Sequence, residues 1–414
     1  MILTFIKKNP KITFNIFIVF IERLLQLVLT ISSFGIIANS ISLTDNGKFF
    51  YAYSWSAVFL TISFYAGAEL IVPKLSKYHY LKKNIIATGF YLRIFYAIVC
   101  FIIGLIFCLL FLKETDIKIA FLIFLIGPLF SEVLVVFACW FTATGRNIWF
   151  SGVRTLGLLA RFIVVYVFSK VNDINFYYFS LAYFIEAIVI GMLAVYIYYK
   201  HPNNCGWGKF NYKVAKSMFW HGLIIGIGLT FNYIFLKLDR ILLEKLVDYK
   251  ILGSYSAIMQ INESWFNVGV AICNILAPYF IFTKETHGVK NKFYINAIAL
   301  TIFALIFSFI INIFSVKIVS LVLGVSYLPN TYLLELSCWF SIFIFLQQLC
   351  SMWWLRQKKY FFQIFIWIIG ISCLGIATLL LVPTFGLYGM IYAIFIAYTV
   401  MLTYQFYIIK NESA

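Results

Sequence analysis

The sequence predicts an all-helical integral membrane protein of about twelve transmembrane helices in two six-helix lobes with a central cavity. Three observations predict it. Only 11% of the 414 residues are charged and 63% are hydrophobic, where a soluble domain carries about 25% charged residues. The apolar runs continue for about twenty residues, the length a helix needs to cross a bilayer, without the two-residue alternation of a membrane β-barrel. Finally, features of the first half of the chain recur in the second. The composition excludes a soluble enzyme, a disordered chain and a nucleic-acid binder.

The spans follow in order. Residues 12–38 form the first; the run is too long for a signal-peptide core and lacks a small-residue cleavage site. The second, 49–72, lies between Gly47 and Pro73. The charged turn of Lys113, Glu114, Asp116 and Lys118 divides the third (85–112) from the fourth (119–143), where Gly127-Pro128 marks a kink or hinge. The turn at Gly145-Arg146 opens the fifth, 148–169, and Lys170 and Asp173 precede the sixth, 176–198. Basic segments flank 217–243, 251–280 and 294–316. Gly324 and Pro329 precede 331–355, Lys358-Lys359 precede 360–382, and Pro383 separates it from 386–409.

Loop charges set the orientation. The N-terminus carries Lys7, Lys8 and Lys11, and alternate loops carry Lys74, Lys77, Lys82 and Lys83; Arg146; Lys200, Lys209, Lys213 and Lys216; Lys284, Lys290 and Lys292; and Arg356, Lys358 and Lys359. With Lys410, nineteen basic residues fall on one side and seven, counting Lys317, on the other. The excess places both termini in the cytoplasm and accounts for most of the net charge of +17. Every loop is short, leaving no soluble catalytic domain on either face. The eight cysteines form no CxxC pair and mostly sit in apolar runs, as small fillers.

Two stretches match across the halves. Gly47 (GKFFYAYSW) opens span two and Gly253 (GSYSAIMQI) opens span eight, with Pro73 and Pro278 following 26 and 25 residues later. CWFTATGRNIWF from Cys139 matches SMWWLRQKKYFF from Ser351, aligning Arg146 with Lys358. The lobes are therefore 1–205 and 206–414, running the same way through the membrane with a site between them.

Charged residues of both signs fall inside the spans. At ~3 kcal/mol each on insertion scales a dozen of them would cost roughly 36 kcal/mol unrelieved, so most must pair, reach an interface or face water. Arg154 and Arg161 lie seven residues apart, on one face of span five, with no acid between Arg146 and Lys170. Both are candidates for substrate contact. The bland alternatives are an Arg161 salt bridge to Glu132 or Glu186 and snorkelling of Arg154 to the interface. Arg23 and Gln26 share a face of span one beside Glu22, as cavity lining or as an interhelical ion pair. Gln260, Asn262, Glu263, Ser264 and Asn267 make span eight wet on one side, with Glu263 a candidate protonation site. Lys237, Asp239 and Arg240 read first as interfacial anchors at the end of span seven; Arg240 is retained as a substrate-binding candidate and Asp239 as an ion-coupling one. Glu69, a third ion-coupling candidate, is placed to pair with Arg93. No nucleotide-binding GxxxxGK[ST] loop, HExxH pair or nucleophile–histidine constellation is present. No catalytic residue, metal ligand or cofactor is therefore assigned, and the chain is not expected to be an enzyme.

The passage LKLDRILLEKLVDYKILGSYSAIMQINESWF, the final helix VPTFGLYGMIYAIFIAY and GVSYLPNTYLLEL before span ten resemble the Wzx-type O-antigen flippases of the multidrug/oligosaccharidyl-lipid/polysaccharide exporter superfamily, over essentially the whole chain. The resemblance implies a MATE-like V-shaped cavity and a bacterial inner-membrane location. It implies movement of an undecaprenyl-diphosphate-linked oligosaccharide from the cytoplasmic to the periplasmic leaflet by alternating access, with ion coupling in some members. Polysaccharide polymerase and chain-length regulator partners are implied too. By position, Arg23, Arg154 and Arg161 take the cationic lumen role and Asp239 falls on the recurrent helix-seven acid. The abundance of intramembrane Glu departs from a simply basic lumen. Two other readings stay open: an integral-membrane polymerase or glycosyltransferase, which would need a large periplasmic loop, and a drug/cation antiporter, which an arginine-lined face disfavours.

Overall fold

The computed structural model describes residues 10–65, 67–280 and 288–411, with the side chains of 10–20, Glu69, His79, Pro128, Asn147 and 274–280 outside the description. The described residues form sixteen α-helices and no strand. In the first half these are α1 (Pro10–Ser40), α2 (Leu43–Ser63), α3 (Ala68–Lys77), α4 (Lys82–Phe111), α5 (Thr115–Leu134), α6 (Val136–Ala143), α7 (Asn147–Phe168) and α8 (Tyr178–Lys200). In the second they are α9 (Tyr212–Leu243), α10 (Tyr249–Phe280), α11 (Val289–Ile313), α12 (Ser315–Val322), α13 (Thr331–Ser337), α14 (Phe340–Arg356), α15 (Tyr360–Phe385) and α16 (Leu387–Asn411).

Among the described residues, nine helices are long and apolar enough to cross a membrane, or ten if the α13–α14 region, bent by 43°, counts as one span. The chain is a multi-pass membrane protein. Helices α2 and α10 are absent from that set. Both carry polar residues through buried positions, among them Asn46, Ser54 and Ser56 on α2 and Ser254, Ser256, Gln260 and Asn262 on α10. The two helices pack on each other.

Local detail departs from the expected spans in three places. The second ends early, at Ser63, and the chain re-enters as α3 after Gly67. The fourth runs through Gly127-Pro128 and breaks instead at Val135, between α5 and α6. An extra helix, α12, precedes the tenth; it buries Ser315 and Val319 and leaves Leu321 77% exposed.

The internal repeat has a structural counterpart at Gly47 and Gly253. A Cβ on Gly47 would run into the carbonyl oxygen of Tyr249, and a Cβ on Gly253 into that of Leu43. Each glycine thus seats the residue four positions before the other, a reciprocal contact of the kind a two-fold axis produces. Glycine permits this approach because it has no side chain. Gly47→Ala and Gly253→Ala should each cost about 1–3 kcal/mol by overpacking, read as a lower Tm in detergent. The second match needs a correction of one residue. Gly145 and Lys358 both adopt positive φ, 72° and 58°. Arg146 N–H donates to the Phe141 carbonyl (2.8 Å) as Lys359 N–H donates to that of Trp354 (3.0 Å). Helix-end geometry therefore pairs Arg146 with Lys359, not Lys358.

The two halves share one hydrophobic core on the face opposite the basic loops, from Phe34, Phe49 and Phe50 to Tyr255, Tyr327 and Leu334. There Asn46 Nδ2 donates to Tyr327 Oη (2.6 Å), Tyr327 Oη to the Ala38 carbonyl (3.1 Å), and Asn39 Nδ2 to the Val322 carbonyl (3.1 Å). On the basic face a separate core gathers Ile71, Ile85, Val136, Trp140 and Tyr198. Helix α9 belongs to both: Met218 enters the small core and Phe235 and Leu243 the large one. The segment leading into α9 is fastened to α4, with Lys209 N–H donating to Asn84 Oδ1 (3.2 Å) and Asn211 N–H to Thr88 Oγ1 (3.0 Å).

Candidate functional site

A cavity of about 640 Å³ opens within the first half of the chain, walled by α2, α4, α5, α7 and α8 and closed on one side by Leu229 and Tyr233 of α9. It runs from Gly67 and Phe150, near the basic face, to Tyr53, Phe124 and Arg161 deeper in the bundle. Its wall carries Arg93, Arg154 and Arg161 against Glu132 and Glu186, an excess of one positive charge among the described side chains.

Arg161 forms the floor. The seven-residue spacing puts it and Arg154 on one face of α7, and both line the cavity. Helix α8 meets Arg161 with two residues one turn apart. Glu186 Oε2 lies 3.0 Å from Nη1, and the Tyr183 ring lies 4.7 Å from the guanidinium carbon. Arg161 Nη2 also donates to Thr30 Oγ1 of α1 (3.3 Å). The residue is only 6% exposed, yet its Nε has no partner. A fork held at one edge and stacked on one face keeps donors for a planar anion.

Arg93 of α4 pairs with Glu132 of α5, Nη1 standing 3.3 Å from Oε2 and donating also to the Glu132 carbonyl. Arg154 differs. Its guanidinium stacks 4.3 Å over Phe150, one turn earlier on α7, and it makes no ion pair with a carboxylate among the described residues. It is the cation that the wall leaves available. Arg23 lies outside the lining. Its Nη1 donates to Gln26 Oε1 (3.0 Å), and Gln26 Nε2 to Glu22 Oε1 (2.6 Å), a ladder along α1 close enough for both charges to act on Arg154.

A second cluster sits where α9 meets α10. Lys237 Nζ lies 2.7 Å from Glu263 Oε2, and Arg240 Nη1 lies 2.8 Å from Glu263 Oε1. Asp239 accepts from Tyr255 Oη (2.8 Å) and from the Arg240 backbone N–H (2.8 Å). Interfacial anchoring does not describe these residues: Lys237, Asp239 and Arg240 are all buried, Arg240 completely. The rings of α2 close over them, Tyr53 at 5.6 Å from Lys237 and Phe50 at 5.9 Å from Arg240. Tyr53 also lines the cavity, so this ring divides the two charged clusters. Arg240 and Glu263 lie outside the cavity lining, and the side chain of Glu69 lies outside the described residues. Glu132, Glu186 and Tyr183 are the wall residues that the charge reading placed only as salt-bridge partners or passed over. The three-residue step from Tyr183 to Glu186 was the available signal, since it puts ring and carboxylate on one face.

No group of three metal-ligating residues occurs among the described residues. No family model and no curated protein matches the chain. Solved structures do match in shape. An inward-facing multidrug resistance MATE family transporter of the MOP superfamily superposes with a TM-score of 0.67 at 12% identity, over 95% of this chain and 100% of that one. The lipid II flippase MurJ in an inward closed conformation gives 0.68 at 11% identity, over 95% and 88%. The Vibrio cholerae MATE transporter VcmN gives 0.59 at 13% identity, over 98% and 97%. The chain therefore has the helical fold shared by MATE transporters and the lipid II flippase MurJ.

Proposed function

We propose that the protein is a flippase for an undecaprenyl-diphosphate-linked oligosaccharide, such as an O-antigen repeat unit, moving it from the cytoplasmic to the periplasmic leaflet of a bacterial inner membrane by alternating access of lobes 1–205 and 206–414. The observation that carries this reading is a cavity holding three arginines, one of them, Arg154, without a carboxylate partner among the described residues. Such a substrate has a diphosphate and sugars that cannot cross hydrocarbon and a polyprenyl tail that need not leave it. Guanidinium forks suit the phosphate oxygens, and Tyr53, Tyr183 and Tyr233 on the wall offer ring faces to sugars. The orientation rests on the nineteen basic residues of one face. The fold likeness to a lipid II flippase agrees with the reading.

The test is transport of a fluorescent lipid-diphosphate oligosaccharide in proteoliposomes. Arg154→Ala should slow flipping about tenfold, equal to about 1.4 kcal/mol, with unchanged protein levels. Drug/cation antiport is the second reading, favoured by the likeness to a multidrug transporter and disfavoured by the cationic wall. Drug-driven proton movement without lipid flipping would establish it instead.

A further inference from the structure

Both buried arginines of the cavity already hold an anion. Arg161 holds Glu186 at 3.0 Å and Arg93 holds Glu132 at 3.3 Å. A diphosphate that binds these guanidiniums along the edges the carboxylates occupy takes the places of those oxygens. The displaced carboxylate then sits in a poorly solvated wall without its cation, where the charged form is costly. We infer that Glu132 and Glu186 are proton-binding groups of this cavity, each taking up a proton when a lipid-linked diphosphate displaces it from its arginine. This rests on the diphosphate reading above and deepens it.

Charge balance supports the assignment. Among the described side chains the empty wall carries three guanidiniums and two carboxylates. Each phosphorus of a diphosphate diester carries a negative charge near neutral pH. Binding without protons would turn the wall from net positive to net negative. Uptake of one proton by each glutamate restores the charge of the empty state, so the loaded and empty cavities present the same net charge to the membrane field. On the far side the sequence reverses: the diphosphate leaves, each carboxylate releases its proton to water and each arginine recovers its partner. Both acids line the cavity, and their side chains are 16% and 24% exposed.

The surrounding groups are those such an exchange needs. Facing Glu186 are Arg161 from α7 and Tyr183 from its own helix, with Tyr53 of α2 behind them. Facing Glu132 are Arg93 from α4 and Arg154 from α7, the latter flanked by Glu22 and Arg23 of α1 and by Cys139 of α6. The Glu69 side chain of α3 lies outside the described residues. The Glu263 carboxylate is a poorer candidate because two cations, Lys237 and Arg240, hold it outside the lining.

The experiment is calorimetric titration of the purified full chain with farnesyl-diphosphate-linked N-acetylglucosamine, whose diphosphate does not titrate near neutral pH, in buffers of differing ionisation enthalpy. Wild type should take up about two protons per ligand bound. Glu132→Gln and Glu186→Gln should each lower the count by about one and bind the probe at least as tightly, because a competing anion is gone. A wild-type count of zero, or a count unchanged in both variants, overturns the inference while leaving the diphosphate site standing. Absence of binding overturns both. A wild-type count of zero overturns the inference even where a variant does not fold, and either variant that folds is enough to assign its glutamate.

Discussion

Glu263→Ala should remove about 3–5 kcal/mol of stability, the cost of leaving buried charge without its partner. The carboxylate holds Lys237 on one oxygen and Arg240 on the other, and Arg240 has no exposure at all. Among the described residues no other carboxylate forms an ion pair with either cation. Asp239 is adjacent, but its oxygens already accept from Tyr255 Oη and the Arg240 N–H. Membrane abundance and thermal unfolding in detergent should both fall sharply. Replacing Lys237, Arg240 and Glu263 together by methionine should recover most of the loss, because an apolar seam of similar volume pays no desolvation. A single Glu263→Ala variant as stable as wild type would mean that water, not the carboxylate, satisfies the two cations.

Arg161→Ala should nearly abolish transport, by about two orders of magnitude or about 2.7 kcal/mol, read by flipping in proteoliposomes and by surface polysaccharide in cells. The change removes the cation of the cavity floor and strands Glu186, so a loss of protein level accompanies the loss of function. The double variant Arg161→Ala, Glu186→Ala separates these effects: abundance should return and flipping should not. Arg161→Lys should recover little, because an ammonium neither forks onto two oxygens nor stacks on Tyr183 as a guanidinium does. Full transport at normal membrane levels would remove Arg161 from the mechanism.

The repeat of Gly47 and Gly253 was legible because glycine before an aromatic-rich helix is conspicuous in an apolar chain. Its meaning, a reciprocal helix crossing, needed the second helix. The arginine pair of α7 was legible from spacing alone, and so was the shortlist of partners for Arg161. Which of Glu132 and Glu186 it meets was not, since both lie in neighbouring spans and charge counting treats them alike. Packing of α7 on α8 assigns Glu186 to Arg161, and packing of α4 on α5 gives Glu132 to Arg93. Lys237, Asp239 and Arg240 looked interfacial because they close an apolar run. They are buried because α10 brings Glu263 and Tyr255 across to them and α2 caps them with rings.

Composition and hydropathy by themselves determined that this chain is helical and membrane-embedded and roughly where its spans lie, because in hydrocarbon every backbone amide must be satisfied within its own helix. Tertiary structure alone decided which intramembrane charges neutralise one another and which, like Arg154, have no carboxylate partner among the described residues. Ion pairing between helices depends on ångström-scale placement of residues far apart in sequence, and a periodic pattern along one helix carries no record of what its neighbour presents.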